Sequence, residues 1–537
     1  MKATRAEAQP APAAAPGTGP AGRHRAASAA LGVLVAGFAL AIGQLLAAFV
    51  AVESSPIVAV GQATIDLAPP WLKDFAIRTF GSHDKQALIV GMLVVLTALA
   101  ALAGVAAVRR PWVGIAALVA LGTLGAVAAL TRPDATVVWA IPSIGATFAG
   151  VWALSFLLGR FYGVAREARR PAPTREAPAP HGFDRRTFMR AAFAVGSTAV
   201  VVGVAGKAIA NRRFAATASR AEVRIPPAKV RAKPFPARDQ LDLPGLSPFY
   251  TPNDRFYRVD TAIFPPQVQA KDWSLRIHGM VDHDVTLDFA RLLDRELIER
   301  DVTLCCVSNG VGGSYVGNAR WTGALLAPLL EEAGVQRGAD QIVSTSADGM
   351  TIGTPTAIVM DGRDAMLAVA MNGEPLPIPH GFPVRMIVPG LYGYVSATKW
   401  VVDLELTTFD AYDPYWIQRG WAEPGPIKTE SRIDTPRAGA SLPAGTIPVA
   451  GVAWAQHVGI TRVEVQVDDA PWQDARLAPQ DTIDTWRQWV WEWDAQPGHH
   501  FIRVRATDAS GAVQPQQRVA SFPSGATGWH TIDLDVV

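Results

Sequence analysis

Cys305 and Cys306 are the only cysteines in 537 residues, and they are neighbours. Consecutive side chains of an extended chain point to opposite faces, so a disulfide between these two would be strained, and a disulfide framework is excluded. Either one also reads as a small core hydrophobe. Its place distinguishes Cys306. Asp301-Val-Thr-Leu-Cys305-Cys306-Val-Ser-Asn309-Gly310 reads as a strand entering a glycine-rich loop, and a strand end presents a side chain on a rigid support. Residues 310–317 hold too much glycine to pack as a core, and their amides can approach a ligand closely. A second group is cationic. Pro379-His380-Gly381-Phe382-Pro383-Val384-Arg385 and Ser396-Ala-Thr398-Lys399-Trp400 place a histidine, an arginine and a lysine in turn-rich segments around a short apolar run. Together they form a clamp suited to a phosphate. Singly, each reads as an ordinary core or surface residue.

The elements that must carry these groups lie in the second half of the chain. Trp273-Ser-Leu-Arg-Ile-His-Gly alternates as a strand does, and 287–300 has apolar positions near helical spacing and reads as a helix. From about Arg432 onward, Val463-Glu-Val-Gln-Val-Asp and Phe501-Ile-Arg-Val-Arg-Ala-Thr-Asp alternate between Gly, Pro and Asp turns, as a β-sandwich requires. A Pro/Lys/Arg-rich stretch over 223–238 reads as a linker. A chain of this length needs two or three cores. The expected division is 1–183 for a membrane region of four spans with a basic linker, 184–215 for an export signal and fifth span, and 216–240 for a linker. A catalytic domain over 241–425 and the sandwich over 426–537 complete it.

The first two hundred residues are crowded with alanine, valine, leucine and glycine, while most of the tryptophan and acidic residues follow Arg220. Apolar stretches at 27–52, 86–108, 112–130 and 137–161 reach the roughly 20 residues a helix needs to cross a bilayer, and a fifth runs over 191–210. Lys2, Arg5, Arg23 and Arg25 precede the first, Arg109 and Arg110 join the second to the third, and Arg160, Arg166, Arg169, Arg170 and Arg175 follow the fourth. The positive-inside rule makes these segments cytoplasmic, so the fifth span delivers everything after Ala210 to the outer side of a cytoplasmic membrane. Ahead of it, Asp184-Arg185-Arg186-Thr187-Phe188-Met189-Arg190 resembles a twin-arginine export signal, a route for domains already folded around a cofactor. None of the ten histidines lies within a span, so no membrane haem is expected. Sparse charge in the spans disfavours a transporter or sensor. With a net charge of +2 and no basic stripe interleaved with aromatics, no nucleic-acid partner is expected.

Five segments, in order, resemble the successive motifs of the sulfite oxidase family of molybdopterin enzymes. They are Thr303-Leu-Cys-Cys306-Val-Ser-Asn309, Gly317-Asn-Ala-Arg320-Trp321-Thr-Gly323, Asn372-Gly-Glu-Pro-Leu-Pro377, His380-Gly-Phe-Pro-Val-Arg385 and Thr398-Lys399-Trp400. The similarity covers 248–537. It implies an α+β molybdopterin-binding domain and an immunoglobulin-like β-sandwich that forms homodimers; with the apolar stretches before it, the expected fold is multi-domain with a transmembrane α-helical region of about five spans. The implied cofactor is molybdenum-molybdopterin, with Cys306 as the thiolate ligand of the metal; a soft thiolate suits a high-valent oxo-metal centre. His380, Arg385 and Lys399, with the backbone of Thr398, match the residues that hold the pterin and its phosphate. Arg258, in Phe256-Tyr257-Arg258-Val-Asp260, lies near the family's Arg-Asn-His motif, altered here, and Ser346 or Asp348 is a further pterin contact.

The resemblance implies two-electron oxygen-atom transfer on a small-molecule substrate. The electrons then pass to or from a separate carrier, a cytochrome or quinone system, because no haem domain is visible in the chain. Two departures bear on the substrate. The arginine pair that follows the ligand cysteine is replaced by Gly310 and Val311, and the family's tyrosine corresponds to Trp421 in Tyr415-Trp416-Ile-Gln418-Arg419-Gly-Trp421. Loss of a cationic contact weakens the case for an oxyanion such as sulfite and leaves reduction of S- or N-oxides open. A reading from another class is an inactive membrane-tethered binding or adhesion protein that keeps the fold; absence of molybdenum after native purification would mark it.

Overall fold

The computed structural model describes residues 20–537, except 70–71, 73–74, 76–78, 81–83, 133–134, 168–184 and 237–238. The chain divides into two units, Met1–Arg213 and Phe214–Val537. The first is helical: α1 (Pro20–Val50), α2 (Pro56–Leu67), α3 (Asp84–Arg109), α4 (Pro111–Leu130), α5 (Ile141–Glu167) and α6 (Arg185–Phe214), the last running into the second unit. All but α2 are long and apolar enough to cross a membrane, and they coincide with the five expected stretches. Where α1 meets α3, a Cβ on Gly32 or Gly104 would strike the backbone of the facing helix, the small-residue contact by which helices associate in lipid. Between α1 and α3 the chain forms α2, with Pro56 at its start, where the missing N–H costs nothing. Asp184 and the basic linker before it lie outside the described residues; Arg185 and Arg186 open α6.

The second unit corrects the expected linker. Residues 216–236 pack on the catalytic region, beginning with α7 (Ala216–Glu222). Arg220 Nε donates to the carbonyl of Leu376 at 2.9 Å, Val230 bridges to Ile298, and Phe235 stacks on Phe249 at 4.0 Å. Val223, Ile225 and Phe235 add apolar surface to the core, which composition alone, dominated by Pro, Lys and Arg, conceals.

Ten strands build the catalytic region: β1 (Ser274–Gly279), β2 (Val285–Asp288), β3 (Leu297–Cys305), β4 (Val316–Leu325), β5 (Gln341–Ser346), β6 (Thr351–Pro355), β7 (Met366–Met371), β8 (Glu374–Pro375), β9 (Arg385–Ile387) and β10 (Val401–Thr407). One sheet has the order β2-β1-β10-β5-β6. The other is β3-β4-β7-β8, with β9 on β7. Short helices α8 (Phe289–Leu293), α9 (Leu326–Ala333), α10 (Thr356–Val359) and α11 (Gly393–Ser396) connect them. The helix expected over 287–300 is thus only the five residues of α8. Asp288 caps it by accepting from Arg291 N at 2.8 Å, and from Leu297 the chain pairs residue by residue with β4. That non-local ladder overrides the helical spacing. β7 is buried on both faces and anchors a core that includes Trp273, Trp321 and Phe382.

Nine further strands, from β11 (Glu430–Thr435) to His530–Val536, form sheets of four and five strands. Ile433, Val449, Val463, Trp489, Ile502 and Leu534 fill the space between them, so the tail is a β-sandwich. It grips β3 just before the cysteines. Thr303 N donates to the Asp484 carbonyl at 2.9 Å, Trp486 N donates to Thr303 Oγ1 at 2.7 Å, and Gln456 Nε2 donates to the Thr303 carbonyl at 3.1 Å.

Candidate active site

The two cysteines diverge where β3 ends. Cys305 is fully buried with Glu430 and Arg432 of β11 as charged neighbours, and burial holds its thiol well above the ordinary range. Cys306, one residue past the strand, has different neighbours. Burial raises it too, but Ser308 donates to its sulfur from both backbone and hydroxyl, and Lys399 lowers it further. Cys306 N donates to the Tyr315 carbonyl at 2.9 Å, so Cys306 and Tyr315 are the two feet of the glycine-rich loop. Within it Asn309 Oδ1 accepts from Tyr315 N at 2.9 Å.

The cationic residues converge because of one glycine and one bridge. His380 ends a short 3-10 turn closed by Gly381 at φ +111°. A Cβ there would lie 3.0 Å from Arg385 Cβ and 3.2 Å from Lys399 Cα, so only glycine permits the approach. Arg385 and Lys399 are paired across an antiparallel bridge, which puts both side chains on one face.

Arg385 is 5% exposed. It donates to the carbonyls of His380 at 3.2 Å and Ala397 at 3.4 Å, and it lies 5.1 Å over the Trp321 ring. Its Nε has no partner, and no carboxylate pairs with it among the described residues. Burial pulls its pKa down to about 10, with Tyr257 opposing. Lys399 is pulled down to about 8 by burial, against the pull of Asp260; its Nζ donates to Asp260 Oδ2 at 2.7 Å and to the Val259 carbonyl at 3.1 Å. Asp260, with a side chain 2% exposed, also accepts from Arg258 Nε at 2.7 Å. Arg258 is one-third exposed. Burial, then Arg385 and Lys399, hold His380 down to about 3, so the ring is neutral. Its Nε2 lies 3.1 Å from the Asn253 carbonyl, which assigns the proton to that nitrogen.

Five of the expected residues thus come together: Cys306, His380, Arg385, Lys399 and Arg258. Thr398 is adjacent, with its hydroxyl bonded to Ser344 Oγ at 2.5 Å and its carbonyl accepting from Met386 N at 2.8 Å. Trp421 belongs to an aromatic cluster, packing on Tyr394 at 5.9 Å, Trp416 at 6.4 Å and Phe522 at 5.4 Å. Of the two alternatives for a further pterin contact, Ser346 keeps a buried hydroxyl without a partner, whereas the Asp348 carboxylate is approached by Met350 N at 3.3 Å and Thr261 Oγ1 at 3.5 Å. Arg320 is structural: it binds Asp301 through two nitrogens, at 2.8 and 2.7 Å. Sequence reasoning assigned no role to Tyr257, Asp260 or Trp321. For Asp260 the signal was its i, i+2 spacing from Arg258, which places both on one face of an extended chain.

Three buried or half-buried cations against one carboxylate make an anion site. The orphaned Arg385 Nε and Ser346 Oγ are donors without an acceptor, and the thiol of Cys306 lies within the electrostatic reach of Lys399. This donor set fits a phosphate-bearing group that also carries a thiophilic metal.

Residues 262–416 match the oxidoreductase molybdopterin binding domain. The chain is 30% identical over 340 residues to mitochondrial sulfite oxidase of Drosophila melanogaster, covering 53% of this chain and 58% of that one, so it spans less than two thirds of that relative's length. It is 32% identical over 149 residues to the uncharacterized oxidoreductase YuiH of Bacillus subtilis, covering 28% of this chain and 72% of the relative. Among solved structures, the sulfane dehydrogenase SoxCD of Paracoccus pantotrophus aligns with a TM-score of 0.46 and 24% identity over 53% of this chain and 80% of that one.

Proposed function

Because this chain belongs to the sulfite oxidase family of molybdopterin-binding oxidoreductases, we propose that it transfers an oxygen atom, with two electrons, to or from a small substrate. The observation that carries this reading is Arg385, a buried guanidinium with an orphaned Nε and, among the described residues, no carboxylate, paired with Lys399, which in turn acts on the Cys306 thiol. When bound, the molybdenum cofactor supplies the oxygen-atom and electron chemistry. The residues of the chain would hold and orient it. Cys306 would give its thiolate to the metal, and Ser308 and Lys399 favour that ionised form. Arg385 and Lys399 would bind phosphate oxygens, and neutral His380 would offer Nδ1 as an acceptor to the pterin. Thr398 offers its backbone amide, its hydroxyl being tied to Ser344.

Arg258, oriented by Asp260, is the cation left for an anionic substrate. Trp421 donates one hydrogen bond and accepts none, unlike a tyrosine. The half-buried Val311 and exposed Gly310 add no charge. These three positions favour a neutral or aromatic-compatible substrate, and they support reduction of S- or N-oxides as the second reading. The five apolar helices, the distribution of basic residues and the arginine pair opening α6 support a catalytic unit on the outer side of the cytoplasmic membrane. The C-terminal sandwich is read as an immunoglobulin-like dimerisation module, and the electron partner as a separate cytochrome or quinone system. Stopped-flow mixing of the oxidised protein with sulfite, and of the reduced protein with S- and N-oxides, tests the reading. Rapid change of the metal bands with at least one class supports it; bands inert to every one would overturn it.

A further inference from the structure

The loop that hangs from Cys306 and Tyr315 contains glycine at 310, 312 and 313. Glycine loses more freedom on ordering than any other residue, so this loop needs fastening. Internal bonds are part of it: Gly313 N donates to the Gly310 carbonyl at 2.7 Å, Asn309 N to the Cys306 carbonyl at 2.9 Å and Tyr315 N to Asn309 Oδ1 at 2.9 Å. The rest comes from the C-terminal sandwich. Arg432 of β11, buried, donates to the Gly313 carbonyl at 2.8 Å. The same guanidinium is held by Asp434 Oδ1 at 2.6 Å and donates to Ser247 Oγ at 2.9 Å, and Asp434 Oδ2 accepts from Ser247 N at 3.0 Å. His530 supplies a second contact. Its Nδ1 accepts from Ile433 N at 3.0 Å, which leaves the proton on Nε2, and the Cδ2–Nε2 edge occupies the space a Cβ on Gly312 would need. Gly312 itself sits at φ +76°, where other residues are strained.

We propose that Arg432 and His530 are positioning residues: from the C-terminal module they fix the 310–313 segment, and so set the opening beside Cys306 through which substrate enters. The inference rests on Cys306 marking the reacting centre, as proposed above. It assigns the sandwich a part in substrate selection in addition to association of copies. Ser308 joins the two roles, because it stands in the same loop and donates to the Cys306 sulfur.

The test uses the full chain in detergent, with Arg432→Met, which keeps an unbranched stem without donors, and Gly312→Ala as a second variant. Hydrogen exchange is followed by mass spectrometry, molybdenum content is measured, and steady-state kinetics are taken with sulfite as the probe. Both variants should exchange roughly tenfold faster over 307–315 and nowhere else. KM for sulfite should rise roughly fivefold with kcat and metal content held. Unchanged exchange over 307–315 in both variants would overturn the proposal. So would acceleration spread through the sandwich, or a fall in kcat at constant KM, since either marks a general structural role. An unaltered chain that carries no molybdenum or leaves sulfite untouched sinks the functional reading instead, and the exchange experiment then decides this inference alone.

Discussion

Replacing Arg385 by methionine should stabilise the cofactor-free protein while it weakens retention of the cofactor. The guanidinium is 5% exposed, has two long carbonyl bonds and one ring face, and is pulled by burial down to about 10. Arginine is charged at neutral pH in either state, so a depressed value means the folded state carries that charge at a cost of up to about 3 kcal/mol. The cost is fully present below pH 10 and is relieved only above it. Methionine keeps most of the packing against Trp321 and carries no charge. For a folded unit of this size the gain corresponds to a rise of roughly 2–4 °C in Tm. With cofactor the sign reverses. Loss of one partner of a buried charge pair costs roughly 2–4 kcal/mol, which is about a 30- to 1000-fold loss in cofactor affinity. The assay compares tryptophan-detected melting of the protein made with and without molybdopterin synthesis, and molybdenum retained after gel filtration. A cofactor-free Arg385→Met that melts below the unaltered protein, or one that keeps its molybdenum, would refute the reasoning.

Cys306→Ser should remove turnover and the thiolate-to-metal optical bands, while Cys305→Ser keeps both and loses roughly 1–3 kcal/mol of stability from a buried hydroxyl; equal loss of activity in both would contradict the assignment. Arg185→Lys with Arg186→Lys should leave the first four spans inserted and strand the catalytic unit in the cytoplasm, read by protease added from outside. Val311→Arg with Trp421→Tyr should raise kcat/KM for sulfite roughly tenfold, the worth of one charge-assisted contact; no change would assign the anion to Arg258 or Arg419 instead. In the cofactor-free protein His380 stays neutral down to about 3, whereas it charges near 6.5 when unfolded. Its contribution is therefore complete above pH 6.5 and falls by roughly 1.4 kcal/mol per unit as pH drops toward 3. His380→Gln should flatten that acid limb in urea titrations, and an unchanged limb would show that another group controls it.

The five long apolar helices were legible because an uninterrupted apolar length of about 20 residues needs no tertiary information; α2, with 12 residues, falls below that signal. The different surroundings of Cys305 and Cys306 accord with alternation along an extended chain. The segment 287–300 misled because its apolar spacing satisfies a helix locally, while the ladder of β3 with β4 is invisible to a short window. The same non-locality hid Asp260. Its partner Lys399 is 139 residues away, and only the fold shows that one carboxylate orients both Arg258 and Lys399. Residues 216–236 read as linker because composition reports solubility, whereas Arg220 and Phe235 are committed by the particular carbonyls and ring they meet. Trp421 was recognised as a departure, but its ring neighbours, one of them Phe522 in the C-terminal sandwich, required the structure.

The most direct test of the account is the molybdenum and pterin content of the natively purified full chain. The purified chain should carry about one molybdenum and one pterin, lost together in Arg385→Met, with thiolate-to-metal bands that vanish in Cys306→Ser. A folded protein, correctly inserted and made in cells competent for the cofactor, that carries neither metal nor pterin would contradict it and leave a tethered binding protein that retains the fold.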